Sequence, residues 1–126
     1  MRLNTLSTML LADDLQATIA FYTNALGFTL MGTLEDPPTW CSLRRDDVEL
    51  MFVWFPPHDH GPEEEDHPGP AMSGVLYVRC EDVAALHEQV KARAQICEPL
   101  TDQPYGMREF AVLDPSGYRV RFGERM

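Results

Sequence analysis

Residues 14–28, DLQATIAFYTNALGF, carry a helix start, one apolar stripe and a stop in a single run. Asp14, or its neighbour Asp13, can accept the free N–H groups of a helix start. Leu15, Ile19, Tyr22 and Leu26 recur at spacings of four, three and four, which places them on one helix face. Gly27 supplies the stop. Upstream, residues 6–11 (LSTMLL) read as a strand ending at Ala12, and downstream Phe28–Leu34, Thr39–Arg44 and Val48–Phe55 read as three more. The spacing therefore predicts a β-α-β-β-β unit over about residues 4–55.

The order recurs in the second half. Ser73–Val78 reads as a strand, and Cys80-Glu81-Asp82 leads into a helix with Val83, Leu86, Val90 and Ala94 on one face. Ile96–Leu100, Met107–Leu113 and Arg119–Gly123 supply three further strands, giving a second unit over about 73–124. Between the last two strands, Asp114-Pro115-Ser116-Gly117 is a turn signal, with Pro presetting φ and Gly taking positive φ. Asp14 matches Asp82 at an offset of 68 and Glu49 matches Arg121 at 72, so the halves differ by four inserted residues. Neither four-stranded half could bury both of its faces alone.

Residues 56–71 separate the units. Within 56–70 lie five of the ten prolines and five carboxylates without a Lys or Arg, so this stretch carries −5 of the net −10. Repeated Pro blocks helix and central strand alike, and the reading is a solvated connector, with an acidic lid as the alternative. His58, His60 and His67 lie here without a regular element to set a metal geometry. The acidic balance excludes a nucleic-acid partner and an anionic membrane surface, since both demand Lys and Arg. No apolar run reaches the ~18–20 residues that span a bilayer, and residues 1–14 contain no signal-peptide core. Three cysteines without C-x-x-C spacing point to reduced thiols and a cytoplasmic setting.

A duplicated β-α-β-β-β unit carrying the 14–28 run, Glu81-Asp82-Val83 and residues 114–118 (DPSGY) resembles the vicinal-oxygen-chelate superfamily of glyoxalases, extradiol dioxygenases and bleomycin-resistance proteins. The resemblance covers nearly the whole chain. It implies an α+β fold in one domain, 1–126, whose two βαβββ units form a cupped eight-stranded mixed sheet. It also implies a homodimer with pockets built partly across the interface, in some relatives with exchanged units.

In metal-dependent members of that family four ligands, usually His and Glu, point into the cup from the first and fourth strand of each unit. Here those positions fall on Ser7, Glu49, Val75 and Arg121, and only Glu49 fits. Val has no lone pair to give, a neutral Ser is a poor transition-metal ligand, and Arg repels the ion. No metal and no other cofactor is expected.

Strand alternation predicts what lines the cup instead. With Glu49 inward, Met51, Val53 and Phe55 follow it. A two-residue turn near Arg45-Asp46 adds Trp40 and Ser42, whereas a three-residue turn would reverse them. In the second unit Val75 and Tyr77 face inward with Arg121. A type I turn with a glycine bulge at Asp114–Gly117 pairs Arg121 with Ala111 and brings Glu109 inward. The candidate ligand-binding set is Ser7, Trp40, Ser42, Glu49, Met51, Val53, Val75, Tyr77, Glu109 and Arg121. Glu49 and Arg121 could link the units as an ion pair or contact a ligand, and Met51 and the aromatic residues could line the pocket or fill a core. Tyr105, Arg108 and Glu109 form the one cluster suited to proton transfer without a metal.

The expected function is metal-free binding of a small molecule, of the kind by which bleomycin-resistance proteins sequester cationic or planar aromatic drugs. The alternative is an enzyme of the same superfamily, a glyoxalase-like lyase, an isomerase or a dioxygenase, with Glu49 or Glu109 as base. A scaffold with a filled pocket is the third reading.

Overall fold

The computed structural model describes residues 1–55 and 75–126. The connector, its three histidines and the first residues expected in the fifth strand lie outside the described residues. The elements run β1 (Thr8–Leu11), α1 (Leu15–Asn24), β2 (Thr29–Leu34), β3 (Trp40–Arg45), β4 (Val48–Val53), β5 (Val75–Arg79), α2 (Val83–Val90), β6 (Ile96–Asp102), β7 (Met107–Leu113) and β8 (Arg119–Arg125). This is the α+β arrangement of two βαβββ units. No described helix is long and apolar enough to cross a membrane.

Hydrogen bonding divides the eight described strands into two four-stranded mixed sheets, ordered β1-β4-β3-β2 and β5-β8-β7-β6. In each, the first strand runs parallel to the fourth, and the remaining pairs are antiparallel. Among the described residues the sheets are joined by side-chain packing rather than by a further strand ladder. Each helix starts where the sequence placed it: the Asp14 side chain accepts from the Ala17 N–H and Asp82 from the Ala85 N–H. Glu124 on β8 reinforces the second start by accepting the Asp82 and Val83 N–H groups, both at 3.0 Å. Those bonds hold its carboxyl below the usual range.

One face of each sheet packs under its helix. Leu10, Cys41, Leu43, Leu50 and Phe52 from the first sheet join Phe110, Val112, Val120 and Phe122 from the second in one continuous core. Tyr22 sits at its centre, edge-on to Phe28 and tilted 38° against Phe52. The Tyr22 hydroxyl donates to Asp114 at 2.9 Å, and the Asp114 carboxylate also accepts the Ser116 and Tyr118 N–H groups. The Asp13 N–H donates to the Ser116 hydroxyl. The two stretches most diagnostic in the sequence, the α1 run and the Asp114–Gly117 turn, thus lock the units together. Burial raises the Asp114 carboxyl above its ordinary value, although its hydrogen bonds oppose the shift.

Two turns fix which residues reach the other, open face. The β3–β4 ladder pairs Arg45 with Val48, so the hairpin turn is the two-residue Asp46-Asp47, with Asp46 at φ +52°. Asp tolerates that left-handed conformation better than most residues. In the second unit Ala111 pairs with Arg121, Val112 with Val120 and Phe110 with Phe122, as a type I turn with a bulge at Gly117 (φ +87°) requires.

Candidate functional sites on two open sheet faces

The expected site residues fall on these open faces. On the first sheet, Trp40 and Ser42 pair with Val53 and Met51, and Glu49 follows on the same side. The Ser7 and Ser42 hydroxyls each donate to a different oxygen of the Glu49 carboxylate, Ser42 at 3.2 Å. Those two bonds, Ser7 first, hold the Glu49 carboxyl below its usual range. A bulge in β2 after Leu30 turns Gly32 and Leu34 to this face. Met9 and Leu11 share it and are exposed, as are Leu34 and, past the end of β4, Phe55. Met9 and Leu11 were not expected in the site, although they follow Ser7 at the strand period of two.

On the second sheet the centre is Glu109. It is only 3% exposed, and its two oxygens accept the hydroxyls of Tyr77 and, at 2.5 Å, Tyr105. Tyr77 projects from β5 across β8 to reach β7. This path exists because Gly123, which pairs with Glu109, has no side chain: a Cβ there would lie 2.3 Å from the Tyr77 hydroxyl oxygen. Partial burial and then the Glu109 hydrogen bond push the Tyr77 phenol up to about 12. The same carboxylate raises Tyr105. Of the expected proton-transfer cluster, Tyr105 and Glu109 meet. Arg108 does not join them, because alternation sends it to the opposite face, where it pairs with Asp102 at 2.6 Å.

Of the two readings of Glu49 and Arg121, ion pair or ligand contact, the ion pair is not formed within the chain. The Arg121 guanidinium grips Glu98 on β6 with bonds of 2.8 to 3.2 Å, and Arg119 reaches the same carboxylate at 3.1 Å. Ala111 lies between Arg121 and Glu98 in the ladders, and its short side chain leaves room for the contact. Val75 pairs with Arg119, while Tyr77 is the direct neighbour of Arg121. Glu98 was missed by sequence reasoning, because the bulges that bring it to this face leave no sequence signal. Within one chain the ten candidate residues thus divide into a Glu49 group and a Glu109 group.

A divalent metal does not fit the family's four positions here. Both Glu49 oxygens hold serine hydroxyls, Val75 offers no donor, and Arg121 presents a cation. Among the described residues no three His, Cys, Asp or Glu side chains converge as a metal set.

Residues 4–122 match the model of the Glyoxalase/Bleomycin resistance protein/Dioxygenase superfamily. The chain is 31% identical to a lactoylglutathione lyase of Haemophilus influenzae, over 94% of this chain and 90% of that one. It shares its fold with TioX from Micromonospora sp. ML1 (TM-score 0.78, 19% identity, covering 98% and 99% of the two chains). It likewise matches the bleomycin-binding protein of Streptomyces verticillus, solved with copper(II)-bleomycin (TM-score 0.71, 24% identity, covering 97% and 96%). The chain belongs to the Glyoxalase/Bleomycin resistance protein/Dioxygenase superfamily.

Proposed function

We propose that this chain is a metal-free small-molecule-binding protein whose ligand is an organic cation with a planar aromatic part, bound over the open sheet faces of a homodimer. The observation that carries this reading is Glu109. A buried carboxylate is costly unless its charge is countered. Its two phenol partners satisfy hydrogen bonds but supply no charge, and Arg121 acts on it only through space, its guanidinium being bonded to the Glu98 carboxylate that Arg119 also reaches. A cation over Tyr77 and Tyr105 would complete the set by charge pairing and cation–π contact. The exposed Met9, Leu11, Leu34, Val75 and Phe55 are apolar surface that a second copy would cover. The family's bleomycin-binding member gives the reading a precedent.

The test is a thermal-shift panel of cationic aromatic compounds against neutral isosteres. Binding at a hundredfold excess over Kd adds about 2.7 kcal/mol to stability. Glu109→Gln keeps the side-chain shape and removes the charge, so it should abolish the shift given by cations. Equal shifts for cations and neutral isosteres, or no change in Glu109→Gln, would refute the reading. Size-exclusion with light scattering tests the dimer.

The relationship to a lactoylglutathione lyase favours one other reading, an enzyme with Glu49 or Glu109 as base. Turnover lost in Glu49→Gln or Glu109→Gln, in protein treated with EDTA, would establish it.

A further inference from the structure

A groove of about 690 Å³ lies between the two units, and Glu49, Tyr77, Glu109 and Arg121 take no part in it. The first unit contributes Phe28 and the β3–β4 hairpin from Arg45 to Val48; the second contributes the end of β5, the start of α2 and Phe122. The volume falls within the ~300–1,000 Å³ typical of small-molecule sites. Phe28, Val48, Val78, Leu86 and Phe122 give it an apolar lining where the core comes to the surface between the units.

Charge selects among apolar-bodied occupants. Asp46, Asp47, Glu81 and Asp82 line the groove against Arg45 and Arg79, leaving it at −2. Arg45 is already committed, donating to the Leu26 carbonyl at 2.8 Å. The whole chain carries −10, so the field at this opening disfavours anions and favours cations.

We propose that this groove is a second ligand site, one that takes an amphiphilic organic amine. The apolar body lies over the half-buried Val48, Val78 and Leu86, with the buried Phe28 and Phe122 beneath them, and the ammonium faces the Asp46-Asp47 turn. This site stands on residues separate from those of the open faces, so either proposal can fail without the other.

The experiment is an amide chemical-shift titration of the intact chain with phenethylamine, 2-phenylethanol and 3-phenylpropanoate. The amine should give saturable shifts at Val48, Val78, Ala85 and Leu86, the alcohol weaker ones, and the carboxylate none. Replacing Asp46→Asn together with Asp47→Asn should weaken amine binding about threefold to tenfold at low salt. Asn suits the left-handed backbone at position 46, so that variant keeps its turn. Ala85→Trp, on an exposed helix position, should block the groove, and Glu109→Gln should leave it unchanged. Amine shifts confined to the Tyr77 and Glu109 amides, or their absence, would overturn the proposal. So would an alcohol that binds as tightly as the amine, or an unaltered affinity in the double variant.

Discussion

Gly123→Ala adds one methyl group, and its effect can be worked out from the packing around Tyr77. The backbone at 123 is not in the left-handed region, so alanine is conformationally allowed, and relieving a strand glycine should stabilise by about 0.5–1 kcal/mol. Against this, the new Cβ would lie 2.3 Å from the Tyr77 hydroxyl oxygen and 2.9 Å from its ring carbon Cζ. Non-bonded atoms want ~3.5–4.0 Å, so the ring must retreat by more than ~1 Å, beyond hydrogen-bond reach of Glu109. Stripping a donor from a buried acceptor costs about 1–3 kcal/mol. Tyr105 stays bonded to Glu109, and Tyr77 is 41% exposed and free to swing outward, which favours the lower half of that range. The net expectation is a loss of about 1 kcal/mol in the native background. In a Tyr77→Ala background the contacts under 3 Å are gone, leaving Met107 Cε at 3.2 Å, the end of a flexible side chain, and the same substitution should become neutral or stabilising. Urea unfolding of the four proteins at one fixed concentration reads the coupling directly. If Gly123→Ala costs the same with and without Tyr77, the route across β8 is not what the glycine provides.

Three further predictions follow the buried and open carboxylates. Tyr22→Phe should cost about 1–3 kcal/mol in urea unfolding, because it leaves one Asp114 oxygen without its donor between the units; an unchanged midpoint would remove Tyr22 from the lock. The folded Asp114 carboxyl is raised, so its contribution is fully present below its unfolded pKa and is lost as pH rises through the raised value. The stability of the native chain relative to Asp114→Asn should therefore increase as pH falls from 7 towards the carboxylate range, and a pH-independent difference would contradict this. Glu49 is lowered, so its contribution holds above the ordinary carboxylate pKa and is lost on acidification. Ser7→Ala and Ser42→Ala should each return its pKa towards the ordinary value in a carboxyl NMR titration, Ser7→Ala more strongly.

What the sequence showed plainly were the features fixed by neighbours along the chain. Asp14, the Leu15–Leu26 stripe and the Asp114–Gly117 turn each carry their physics within a few residues, and the helix starts, the β7–β8 register and the core faces follow from them. The β3–β4 hairpin was half legible: sequence offered two turn lengths, and a left-handed Asp46 selects the one that puts Trp40 and Ser42 beside Met51. Partners across strands were not legible. Alternation says that Arg121 and Glu109 share a face, but not that Arg121 turns to Glu98. That pairing depends on bulges in β6 and on the small Ala111 between the two strands. Nor does it say that Tyr77 crosses Gly123, because the permissive feature is a missing side chain.

The two units reach similar chemistry with different residues. Each open face centres on a carboxylate whose two oxygens are held by two neutral hydroxyls: Ser7 and Ser42 on Glu49, Tyr77 and Tyr105 on Glu109. Neutral donors fix a carboxylate's position and satisfy its lone pairs, but they leave its full negative charge in place. Serines do this with little surface, which leaves the first face to Trp40, Met51, Met9 and Leu11. Tyrosines do it while adding aromatic area of their own, and they bury Glu109 as they do so. The same charge sits deeper on the second face, where water screens it less and where Arg121 already acts on it through space. Under the proposed function, a ligand spanning both faces would place its charged end at Glu109 and its apolar body against the first sheet. On that reading, exchanging Tyr77 and Tyr105 for serine, which is too short to reach Glu109 across β8, removes both the aromatic surface and the donors that hold this carboxylate. Cationic and neutral compounds should then give equal thermal shifts; a retained preference for cations would show that the tyrosines do not set it.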